Sequence, residues 1–107
     1  MTQVDSIAAF MHAWQQGEAC CWALQPGNAL IFAPLPAPVL TLRILPGSRR
    51  DDLVRQVLTW RFQHSDRYEG CYISMDAGGA LSLICFPTDD DDPHDLITTL
   101  CSLGDLR

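Results

Sequence analysis

The sequence predicts an α+β domain with the order α-β-β-β-α-β-β-α and an antiparallel sheet, on three observations. Apolar residues recur at spacings of three and four in stretches over about 5–16, 49–64 and 93–103, the period of amphipathic helices. Between them lie short apolar runs that lack this period and are separated by Pro/Gly turn signals. No repeat and no long linker interrupts the chain, so residues 1–107 read as a single domain.

Each element has its own signal. Ile7, Phe10, Met11 and Trp14 form one apolar stripe, with Asp5 as the expected cap and Gly17 beyond the last periodic residue. Glu18–Leu24 and Ala29–Ala33 flank Gln25-Pro26-Gly27-Asn28, a turn signature, and should pair as a hairpin. Pro34, Pro36 and Pro38 cannot sit inside a central strand, so that stretch is a connection or a protected edge. Val39–Leu45 then alternates as a half-buried strand with Leu40, Leu42 and Ile44 inward.

Pro46-Gly47 breaks this strand, and Ser48-Arg49-Arg50-Asp51 has the form of a capping box that opens the second helix. At about 100° per residue, Trp60, Leu53, Val57, Val54, Leu58 and Phe62 span an arc of roughly 200°, where one core contact needs about 100°. Part of that arc should meet something outside its own core, with Arg61 and His64 in or beside the same contact and Trp60 the best candidate anchor. Cys71–Met75 and Ala80–Phe86 flank Ala77-Gly78-Gly79 as a second hairpin. Asp92-Pro93-His94-Asp95 joins a cap, a first-turn proline and an acid, and Leu96, Ile97, Leu100, Cys101 and Leu103 give the closing helix.

Charge narrows the partners. The chain carries 13 acidic against 7 basic residues, a net charge of −6, and every cation is arginine. Nucleic acid and anionic membranes are bound through accumulated positive charge, so neither is expected. A signal peptide, a membrane span and an extracellular location are not expected either: residues 1–6 lack a leader pattern, and no run approaches the roughly 18 apolar residues of a span. Cys20, Cys21, Cys71, Cys85 and Cys101 include no CxxC and read as reduced, mostly buried thiols of a cytoplasmic protein.

No catalytic motif and no cofactor site is expected. His12, Cys20 and Cys21 are the nearest His/Cys grouping, but neighbouring strand cysteines point to opposite faces. His64 and His94 have no partnered nucleophile by spacing. Asp89–Asp92 lacks the alternation, glycine and distal glutamate of a calcium loop and reads as a solvated segment ending in a helix cap. Gly78-Gly79 lacks the strand-to-helix context of a phosphate loop.

The element order, acidic balance, small size and missing active site together resemble the class I chaperones of bacterial type III secretion, over nearly the whole chain and without a specific motif. The resemblance implies a cytoplasmic homodimer, or a heterodimer with a related chaperone, joined largely through the middle helix or the adjacent strand. Leu53, Val54, Val57, Leu58, Trp60, Arg61 and Phe62 would form that interface. It further implies a client, the N-terminal region of a secreted effector or gate protein, kept soluble and competent for export. Val4, Ile7, Phe10, Met11 and Trp14, with Leu30 and Phe32, would receive its apolar anchors beside an added strand. The alternative expectation is a small non-enzymatic regulatory or scaffold subunit of a secretion system or another multiprotein complex, using the same wide helix arc.

Overall fold

In the computed structural model, residues 2–25, 27–45, 50–68, 70–88 and 90–103 are described. The chain folds as α+β: β1 (Thr2–Val4), α1 (Ile7–Gln15), β2 (Cys20–Gln25), β3 (Asn28–Ala33), β4 (Val39–Ile44), α2 (Arg50–Gln63), β5 (Cys71–Met75), β6 (Leu81–Cys85) and α3 (Pro93–Leu103). The strands make a six-stranded sheet in the order β1-β2-β3-β4-β6-β5, antiparallel except for the parallel pair β1–β2. The expected layout therefore holds, with β1 as an addition. Val4, expected as a client contact, is a β1 residue in register with Trp22.

Helix ends follow local chemistry. Ser6, rather than the expected Asp5, caps α1: its Oγ accepts the Ala9 amide at 3.1 Å. At the other end Glu18 N donates to Ala13 O and Gly17 N to Trp14 O, each at 2.9 Å, and Gly17 adopts φ +71°. That is the paired closure for which a left-handed glycine is suited. Asp92 Oδ1 accepts the His94 amide at 3.0 Å and opens α3, as expected. The expected Ser48 cap and Pro46-Gly47 break lie outside the described residues.

Register sorts the sheet into two unlike faces. Cys20, Phe32, Leu40, Cys85 and Cys71 are successive cross-strand partners, as are Trp22, Leu30, Leu42, Leu83 and Ile73. These rows share one core with Phe10 and Ala13 of α1, Val57 of α2, and Ile97, Leu100 and Leu103 of α3. The helices thus pack on this face, where alternation places Leu40, Leu42 and Ile44 inward. Tyr68, fully buried just beyond α2, places its hydroxyl 3.1 Å from Ser102 Oγ and ties the end of α2 to α3.

Candidate protein-binding surfaces

Every residue of the two expected contact sets lies among the described residues. On α2, Val57 is fully buried in the protein's own core, and Leu53, Val54 and Trp60 pack against that core from partly buried positions. Leu58 is 52% and Phe62 85% exposed. Counting about 100° per residue from Val57, Leu58 and Phe62 fall roughly 100° and 140° round the helix, at the margin of the expected arc. The core takes one side of the arc, from Trp60 to Val54, and leaves these two on the other.

Arg61 donates its Nε to the Cys71 carbonyl at 3.1 Å, fastening α2 to the start of β5. The Trp60, His64 and Tyr68 rings meet edge-on in series at 6.0 and 6.4 Å, and Arg67 stacks over Tyr68 with 5.5 Å to the ring centre.

The client set is largely internal. Phe10 and Leu30 are fully buried and Phe32 nearly so. Trp14 stacks on Phe32 at 4.5 Å, and Phe10 contacts Trp14 and Trp22 at 6.3 and 6.4 Å. Three residues expected to receive client side chains at the surface, Phe10, Leu30 and Phe32, instead belong to the protein's own core. Met11 and Val4 are partly buried, which leaves Ile7, 36% exposed, as the most accessible of the set.

The second sheet face was not singled out by pattern alone. Cys21, Ile31, Thr41, Ile84 and Tyr72 are successive partners across it, next to a row of Ala23, Ala29, Arg43, Ser82 and Ser74. Tyr72 meets Phe86 edge-on at 5.6 Å, both more than half exposed. A recess of about 580 Å³ opens at one end of this face between Ala23, Ala29, Ile31, Arg43 and Leu45. The signal that could have revealed the face is charge: β2 to β6 contain Arg43 and no other charged residue. Strands with one solvated face normally alternate apolar with polar, and β4 to β6 do so through Thr41, Arg43, Ser74 and Ser82, whereas β2 and β3 carry Cys21, Ala23, Ala29 and Ile31 on this face.

Arg43 binds Asp76 Oδ2 at 3.2 Å, while Asp76 Oδ1 accepts the Ala80 amide at 2.9 Å across the β5–β6 turn. The Ala80 amide first, and Arg43 after it, hold the Asp76 carboxyl below its usual range, against a smaller opposing effect of desolvation. A depressed carboxylate adds stability that is full above its ordinary pKa and disappears as pH falls through the folded value. Asp76→Asn should therefore be less stable than wild type at neutral pH, and urea melts at about pH 3 should show the gap closing.

The cysteines are free thiols. Cys71 and Cys85 are cross-strand neighbours in the core. Burial first, and the neighbouring Cys71 second, push the Cys85 thiol up to about 12, so it stays protonated and unreactive. No group of three or more His, Cys, Asp or Glu side chains able to hold a metal occurs among the described residues. Asp91 Oδ2 instead accepts from Thr88 N at 2.8 Å and Thr88 Oγ1 at 3.0 Å. No helix among the described residues is long and apolar enough to cross a membrane.

These elements define an α+β protein with helices on one sheet face, a second face whose one charged strand side chain is Arg43, and two exposed apolar residues on its middle helix. The HrpV-like family model matches residues 1–107, and the chain belongs to that family, which is associated with type III secretion. The match carries the type III secretion association and not the class I chaperone assignment. Neither a curated protein nor a solved structure matches the chain.

Proposed function

We propose that the protein is a small regulatory or adaptor subunit that acts in the cytoplasm by binding another protein of a type III secretion system, without catalysis. The observation that carries this reading is the position of Phe62, 85% exposed beside Leu58 on a helix whose opposite side fills the core. An exposed aromatic on a rigid helix is the kind of anchor that dominates protein interfaces. Membership of the HrpV-like family supplies the system.

The export-chaperone reading needs a surface for an extended client, and the one expected for it has given Phe10, Leu30 and Phe32 to the core. Capture of an extended segment would then fall to the backbone edge of a sheet strand. Purification of the tagged protein from its own cells, before and after secretion is switched on, separates the two. A complex of fixed stoichiometry with a component of the system, retained during secretion and weakened at least about tenfold in Phe62→Gln, is the expected result. A partner that leaves the complex as it is exported would establish the chaperone instead.

A further inference from the structure

We propose that the uncovered sheet face is the contact through which two copies of this chain pair, sheet against sheet, about a two-fold axis. This pairing does not depend on the functional reading above and uses a different surface from α2.

Charge and area argue for a second copy. Each chain carries −6, so a stable contact between copies needs a surface where that charge is absent. The sheet provides it: Arg43 is the one charged side chain on β2 to β6, and it is already bound to Asp76. The row through Ile31, Thr41 and Ile84 forms a ridge of larger side chains beside a row in which Ala23 and Ala29 on one side, and Ser82 and Ser74 on the other, flank Arg43. A two-fold rotation sets this face against its own copy, so that the same patch is buried on both chains, as an isologous interface requires. Packed sheets sit about 10 Å apart with strands roughly 30° from alignment, an arrangement open to a twisted antiparallel sheet.

Five strands spaced ~4.8 Å apart and about 18 Å long present roughly 400–450 Å². Allowing for side-chain relief, two such faces bury roughly 1,000–1,200 Å² in total, at the low end for specific pairing. The expected dimer is therefore one of micromolar affinity, and its equilibrium should be visible between about 1 and 100 µM.

Cys21 reports on this face without any substitution, because it lies in the ridge row and is half-buried, whereas Cys20, Cys71 and Cys85 are buried in the core. Half-buried Cys101 on α3 is the internal reference. With excess maleimide and mass-spectrometric mapping, the Cys21 rate should fall severalfold from low to high protein concentration while the Cys101 rate stays constant. Sedimentation should show the same equilibrium, weakened at least about tenfold in Thr41→Arg and unchanged in Phe62→Gln. If Thr41→Arg does not fold, the labelling of the unaltered protein decides. A monomer throughout with a concentration-independent Cys21 rate overturns the proposal, as does pairing lost in Phe62→Gln and kept in a folded Thr41→Arg.

Discussion

Phe10→Ala should destabilise the protein by about 3–5 kcal/mol and lower the midpoint of thermal unfolding by roughly 15–30 °C. Phe10 is fully buried, and its ring lies against Trp14 and Trp22, which the truncation would leave facing a void. Lost transfer energy and lost dispersion contacts both contribute, and neither is recovered unless α1 collapses onto the sheet. A chain of this size has only about 5–15 kcal/mol of total stability, so the loss is a large fraction of it. Urea and thermal melts followed by tryptophan fluorescence would measure the effect directly. Ile7→Ala is the matching control on the same helix: at 36% exposure it should cost less than about 1 kcal/mol. A binding defect in Phe10→Ala would thus report unfolding, whereas one in Ile7→Ala would report a contact.

Phe10 also shows where periodicity stops being informative. The spacing of Ile7, Phe10, Met11 and Trp14 identifies a helix with one apolar stripe, and α1 is there. The stripe does not say whether it faces the protein's own sheet or a partner, because both burials demand the same pattern. The same holds for Leu30 and Phe32, whose alternation in β3 places them on one face without saying what covers it. Strand β1 was invisible for a different reason: Thr2–Val4 is too short to alternate and is held by parallel pairing to Cys20–Trp22, a contact formed only after the chain has folded back. The Ser6 cap was missed because Asp5 and Ser6 are adjacent residues of equal capping ability. By contrast, Asp92-Pro93 at the start of α3 and Gly17 at the end of α1 act through bonds within a few residues, and both were legible.

A total of −6 excludes anionic partners, yet the distribution is the more telling quantity, since the acids lie outside β2 to β6. Helices fill one side of the sheet, and the other carries Arg43 as its one charged strand side chain. The acidic remainder opposes indiscriminate association, so the sheet face, where Arg43 is paired with Asp76, is where specific contact costs least in repulsion.

The two sides of α2 should respond in opposite ways to one and the same change. Val57→Gln places a longer, polar side chain in a position with no exposure, where the amide has no partner and the core no spare volume. Overpacking and an unsatisfied buried amide together should cost about 3–5 kcal/mol. Phe62→Gln, five residues on and 85% exposed, should change stability by no more than about 0.5 kcal/mol, since glutamine is the better helix former and no packed contact is lost. Urea melts of the two variants test this directly. The outcome bears on the whole arc from Trp60 to Phe62, because a 200° apolar surface has two explanations, a wide core contact or a core contact beside a docking site. A large loss at Phe62 would mean that the chain folds over it and the arc is all core. Stability at Phe62 with collapse at Val57 divides the arc where the geometry divides it, and leaves Leu58 and Phe62 as residues maintained for a partner rather than for the fold.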